Sequence, residues 1–146
     1  MINGTQIAIV GNLGADPEMR YTPTGMAVTN FNVGVPNPRR QDKATGKWND
    51  TGTTWHRVNA WRDLAEHCAE SLARGVRVIV VGTLTSRDWI SKEGEKRVSW
   101  EITADAIGPD LTYATASIKR THRDDVPVPD DPWAGPAPQD ADNGAT

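Results

Sequence analysis

The chain has 146 residues, of which 37% are hydrophobic and 24% charged, a balance suited to one small soluble domain with something unfolded attached. No window approaches the ~18 apolar residues that a membrane span needs, and a single cysteine, Cys68, excludes an internal disulfide and a cysteine-cluster metal site. The formal net charge of −3 averages two unlike regions: residues 1–123 carry all 16 Lys and Arg against 13 acidic side chains, whereas residues 124–146 carry six aspartates and no Lys or Arg. A mildly basic body can approach a polyanion, and an acidic tail cannot.

Met1-Ile2-Asn3-Gly4 lacks the basic start and apolar stretch of a signal peptide, so a cytoplasmic address is expected. Thr5 to Val10 reads as a first strand that ends near Gly11-Asn12. Thr22-Pro23-Thr24-Gly25 is a turn leading into a second strand, Ala27 to Val35, with Ala27, Thr29, Phe31, Val33 and Val35 on one face. Pro36 to Gly52 reads as a polar loop, and Thr53 to Arg62 as the third strand. From Asp63, the apolar stripe Leu64, Ala65, Cys68, Ala69 and Leu72 predicts one helix, terminated by Gly75. Val76 to Ile90 is a long fourth strand bent at Gly82. Lys92-Glu93-Gly94-Glu95 turns it into a fifth, Arg97 to Ala106, and Tyr113 to Lys119 reads as a further short strand.

Three strands, a helix and two strands is the order of an all-β, five-stranded Greek-key barrel of the OB type, the helix plugging it between strands three and four. The expected domain spans residues 1–120. Residues 121–146, rich in proline and aspartate, cannot bury enough apolar surface to offset their ordering entropy and are expected to form a disordered tail.

In the third strand, Trp55, Arg57, Asn59 and Trp61 alternate with His56, Val58 and Ala60. Packing alone would more simply place both tryptophans with the valine. The alternation instead makes a platform of two indoles beside a guanidinium, fit for stacked nucleobases and their phosphates. The two indoles, roughly 20 Å apart along a strand, would serve different nucleotides. In the fourth strand Thr83, Thr85, Arg87 and Trp89 share a face opposite Leu84 and Ile90. Phosphate contacts are expected from Arg57 and Arg87, and from Arg39, Arg40, Lys43, Lys47, Lys96 and Arg97, with Trp48 as a further stacking candidate in the basic loop. Trp100 alternates with Val98 and Ile102 and is expected in the core or at a subunit interface. Cys68 is expected in the core. His67 and His122 have no ligand spacing, so neither metal nor cofactor is expected. No phosphate-cradling loop, nucleophile elbow or carboxylate pair indicates an enzyme.

Val10-Gly11-Asn12-Leu13, Asp16-Pro17-Glu18 and Arg20-Tyr21-Thr22-Pro23-Thr24-Gly25 resemble the opening of bacterial single-stranded DNA-binding proteins. Trp55-His56-Arg57-Val58, Ala65-Glu66, Gly75-Val76-Arg77-Val78, Gly82-Thr83-Leu84 and Arg87-Asp88-Trp89 continue the match over roughly residues 3–110. Ile107-Gly108-Pro109-Asp110-Leu111 through Tyr113-Ala114-Thr115-Ala116 is similar to the actinobacterial branch. The resemblance implies an OB fold, a homotetramer and sequence-independent binding of single-stranded DNA in replication, recombination and repair. It implies aromatic contacts at Trp55, Trp61 and Trp89, and a subunit contact at His56. Where the family has an aromatic, this chain has Arg39 and Arg40. Asp130-Asp131-Pro132-Trp133 resembles the family's partner-docking tip for replication and repair proteins, although here residues 134–146 follow it. The alternatives from other classes are an OB-fold adaptor that assembles protein complexes and binds DNA weakly, and an RNA-binding OB domain.

Overall fold

Alternating side chains build the barrel wall. The computed structural model describes residues 3–121, arranged as β1 (Thr5–Leu13), β2 (Glu18–Tyr21), β3 (Ala27–Pro36), β4 (Arg40–Gln41), β5 (Trp48–Asn49), β6 (Thr53–Trp61), α1 (Asp63–Ser71), β7 (Arg77–Ile90) and β8 (Lys96–Pro109). In β3 the side chains of Ala27, Thr29, Phe31 and Val33 are buried, as the alternation predicts. Val58 and Ala60 of β6, Val78 and Val80 of β7, and Ile102 of β8 meet them in one core. Each fully buried Val or Ile contributes about 1.5–3 kcal/mol relative to exposure.

The large sheet runs β1-β7-β8-β6-β3-β2, and β1 also pairs with β3. That extra pairing, Asn12 with Gly34 and Leu13 with Val33, closes β1, β7, β8, β6 and β3 into a five-stranded ring. All neighbours in the ring are antiparallel except β6 and β8, which are parallel. β1 therefore runs past Gly11-Asn12 to Leu13, because the same strand leaves β7 and joins β3 there. Gly11 permits the crossing: a Cβ at this position would lie 2.3 Å from the Gly34 carbonyl oxygen. Gly82 does the same for β7, where a Cβ would lie 2.2 Å from the Thr103 oxygen and the register shifts between Val81 and Gly82. The ladder is irregular there: Val81 pairs with Ala106 and Gly82 with Ala104, which leaves Asp105 of β8 without a partner in the register.

α1 closes one end of the ring. Ala65, Cys68 and Leu72 enter the core, and the buried Thr29 hydroxyl donates to the Ala65 carbonyl at 2.7 Å, tying β3 to the helix. Burial pushes the Cys68 thiol up to about 11. The helix ends at Ser71 with Leu72 in an extended conformation. Gly75 is thus not its terminator; with φ of 86° it forms the turn into β7 and donates to the Leu13 carbonyl at 2.9 Å.

Three other expectations are corrected. Glu18–Tyr21 forms an edge strand on β3, and all four residues are exposed, so no inside-outside alternation marked it. The polar loop holds a two-stranded ribbon, β4 with β5. Tyr113 to Lys119 is not a strand. Asp110 ends the ladder by donating its N–H to the Arg77 carbonyl and accepting from Thr112, and Tyr113 lies under the Arg77 guanidinium, 5.8 Å from its ring centre. The chain divides into two units, Met1–Ala116 and Ser117–Thr146. In the second, the described residues 117–121 hold no helix or strand.

Candidate functional site

The outer face of β3, β6, β8 and β7 is continuous, because directly paired residues share a face. Asn32 pairs with Arg57, Arg57 with Glu101, and Glu101 with Thr85. The next row is Asn30, Asn59, Thr103 and Thr83. Along β6 the outward positions are Trp55, Arg57, Asn59 and Trp61, and β7 continues with Thr85, Arg87 and Trp89. The face therefore unites the two arrays read from the sequence. Trp55, Trp61 and Trp89 keep 59%, 41% and 44% of their surface open, so none is a core residue. On the inner side of β6, His56 is half-buried beside Val58 and pairs with Val33.

The charge on this face is structured. Arg57 Nε lies 3.7 Å from Glu101 Oε1, and Asn59 donates to Glu101 Oε2 at 2.8 Å. One carboxylate thus holds both Arg57 and Asn59. Arg57 also lines a shallow bay of about 160 Å³ together with Asn30, Asn32, Asp16 and Glu18. Arg87 has no ion pair among the described residues.

The β7–β8 hairpin splits the remaining candidates between its faces. Arg97 pairs with Trp89 and so joins the platform, with its guanidinium 3.5 Å from Glu95. Lys96 pairs with Ile90 and lies on the reverse side, apart from the other candidates. Trp100, paired with Ser86 on that reverse side, is 62% exposed, which overturns the expectation of a core position. It alternates with Val98 and Ile102, but only Ile102 reaches the barrel interior, because the hairpin extends past the barrel end.

Arg39, Arg40, Lys43, Lys47 and Trp48 all lie on the β4–β5 ribbon and its flanks, exposed. The ribbon leaves the barrel beside Trp55, since Pro36 and Thr53 are the last pair of the β3–β6 ladder and Gly34 pairs with Trp55. Its tip is an Asp42 turn: the carboxylate accepts from Ala44 N–H at 2.8 Å and from the Thr45 hydroxyl at 3.1 Å, and these bonds hold its pKa below the usual carboxylate value. Arg39 Nε is engaged by Asp50 at 3.1 Å. Asp130, Asp131, Pro132, Trp133 and His122 lie outside the described residues.

Sequence reading missed three participants. Glu101 carries no local signal, since its meeting with Arg57 depends on the parallel β6–β8 register. Gly14 and Gly34 lie against the Trp55 ring, and nothing in the residues around either glycine announces it. Among the described residues no group of three His, Cys, Asp or Glu side chains could hold a metal ion. No helix among them is long and apolar enough to cross a membrane.

Residues 4–110 match the family described as "Single-strand binding protein family". The chain is 47% identical over 152 residues to the single-stranded DNA-binding protein of Mycobacterium bovis, covering 94% of this chain and 92% of that one. It is 50% identical over 123 residues to its counterpart in Mycolicibacterium smegmatis, covering 84% and 74%. The crystal structure of the small single-stranded DNA-binding protein from Streptomyces coelicolor superposes with a TM-score of 0.63 at 35% identity, covering 75% of this chain and 97% of that one. With a closed five-stranded barrel and a family match spanning most of its length, the chain belongs to the single-strand binding protein family.

Proposed function

We propose that the protein binds single-stranded DNA without sequence preference and protects strands exposed during replication, recombination and repair. The observation that carries this reading is the gathering of Trp55, Trp61, Trp89, Arg57 and Arg87 on one outer sheet face, with all three indoles open to solvent. Every base has a π-face, so indoles on a sheet accept any sequence, while guanidinium groups meet the phosphates. The bases stack on Trp55, Trp61 and Trp89. The phosphates run past Arg57, Arg87 and Arg97, and the β4–β5 ribbon adds Arg39, Arg40, Lys43, Lys47 and Trp48. The function is binding, not catalysis, in the cytoplasm on the nucleoid.

The working form is a homotetramer. Its support is an apolar patch farther along the outer side of the barrel, where Ala8, Val10, Ile79 and Val81 sit side by side in the β1–β7 ladder and are exposed. Copies pack through this patch, and His56 contributes to a subunit contact. Asp130, Asp131, Pro132 and Trp133 dock replication and repair proteins, a role that unchanged partner binding in Trp133→Ala would retire.

A single titration tests the reading. Tryptophan fluorescence of the full chain is followed against oligo-dT, oligo-U and duplex at low and high salt. Strong, salt-sensitive quenching by oligo-dT is expected. Quenching by oligo-U alone selects an RNA-binding domain, and no quenching by any selects a protein-assembly module.

A further inference from the structure

The six-membered ring of Trp55 occupies space that a side chain would fill at two glycines from different parts of the chain. A Cβ built on Gly34, its cross-strand partner in β3, would lie 2.9 Å from Cζ3 and 3.0 Å from Cη2 of Trp55. A Cβ built on Gly14, just beyond β1, would lie 2.6 Å from Cζ3, 3.0 Å from Cη2 and 3.6 Å from Cε3, and the ring supplies all three of its nearest atoms. Ordinary contact begins near 3.4 Å, so a methyl at either position would lift the ring. Neither glycine has left-handed backbone, so conformation does not require glycine here. At no other described glycine does a tryptophan ring appear among the nearest atoms. At Gly11 and Gly82 the obstacle is a backbone oxygen, a matter of folding, whereas here it is the far end of an exposed side chain.

We propose that Gly14 and Gly34 form a shelf that holds the Trp55 indole in its stacking pose before DNA arrives. The inference rests on the reading of Trp55 as a base-stacking residue. Backbone supports the benzenoid end of the ring, while 59% of the residue stays open to a guest. A ring already seated loses less freedom when a base closes on it, so less binding free energy is lost to ordering. Gly14 and Gly34 are positioning residues, acting only through Trp55.

A double-mutant cycle on the full-length protein tests this. Gly14→Ala and Gly34→Ala are each expected to weaken oligo-dT binding by roughly three- to tenfold, less than Trp55→Ala does, with the urea midpoint unchanged. In the Trp55→Ala background the same substitutions should cause no further weakening. With 5-fluorotryptophan incorporated, the ¹⁹F resonance of Trp55, assigned by its disappearance in Trp55→Ala, should move in both glycine variants. If the glycine variants weaken binding equally in both backgrounds, they act through the strands and the shelf is wrong. If they bind like the parent while Trp55→Ala is weakened, the shelf is wrong and stacking stands. If Trp55→Ala itself binds like the parent, the stacking reading falls and the shelf with it. Should Gly34→Ala lower the urea midpoint, Gly14→Ala carries the test, because the three atoms nearest its methyl all belong to the ring.

Discussion

Glu101 stands opposite Arg57 in the parallel ladder and holds its guanidinium at 3.7 Å, with the carboxylate side chain only 14% exposed and the arginine 51%. A negative charge therefore sits in the middle of the tryptophan-bearing face. It orders Arg57 and Asn59, and it also competes with any anion for Arg57. Because Arg57 is half open to solvent while Glu101 is largely covered, an anion reaches the guanidinium only against the pull of this carboxylate.

From this pair follows the first prediction. Glu101→Gln keeps an amide oxygen to accept from Asn59 but removes the charge, so oligo-dT affinity at low salt should rise by about two- to fivefold. Arg57→Ala should lower affinity evenly across sequences and flatten the salt slope by about 0.7, the share of one phosphate that the guanidinium neutralises. Titrations at several salt concentrations measure both. An unchanged slope in Arg57→Ala would remove this residue from the phosphate path.

The two faces of the β7–β8 hairpin make opposite predictions. Trp89→Ala should cost about 1–3 kcal/mol per occupied site, and Arg97→Ala should flatten the salt slope. Trp100→Ala and Lys96→Ala, on the reverse face, should leave oligo-dT affinity of the same assembly unchanged. Equal weakening from both faces would mean that the strand wraps the hairpin rather than lying on one side.

Barrel closure depends on two glycines. Gly11→Ala and Gly82→Ala would push a methyl to 2.3 Å and 2.2 Å from the backbone oxygens of Gly34 and Thr103. Backbone in a closed ring cannot yield as an exposed indole can. Each substitution should therefore destabilise by about 1–3 kcal/mol or more, read from urea unfolding. A wild-type midpoint in Gly11→Ala would contradict the close approach of β1 to β3.

Cys68 sets an alkaline limit. Burial raises its thiol from an ordinary value near 9 to about 11 in the folded chain. Between these values the folded state binds more protons than the unfolded state, so stability falls as pH rises from about 9 to about 11 and is fully present below that window. Cys68→Ala should flatten this decline in urea midpoints, at the cost of a small cavity. The thiol should also resist alkylation at pH 8 until the protein unfolds.

Much of this architecture was legible because alternation is a local property. The buried row of Ala27, Thr29, Phe31 and Val33 and the buried helix positions Ala65 and Cys68 each announce themselves within one element. Edge strand β2 was not legible, because a strand exposed on both faces has no periodicity. The position of Trp100 was not legible either: its alternation is real, but whether an inward residue meets a core depends on how far the hairpin outruns the barrel.

By itself the sequence determined which side chains of each strand travel together, since the pleat sends Trp55, Arg57 and Trp61 one way and Val58 and Ala60 the other whatever the fold. Only the tertiary structure decided which strands became neighbours. The parallel pairing of β6 with β8 brought Glu101 to Arg57, and the turn of β1 onto β3 placed Gly14 beside Gly34 under an indole. The physical reason is that register between distant segments is set by closing the ring around a shared core, and no single segment carries that constraint.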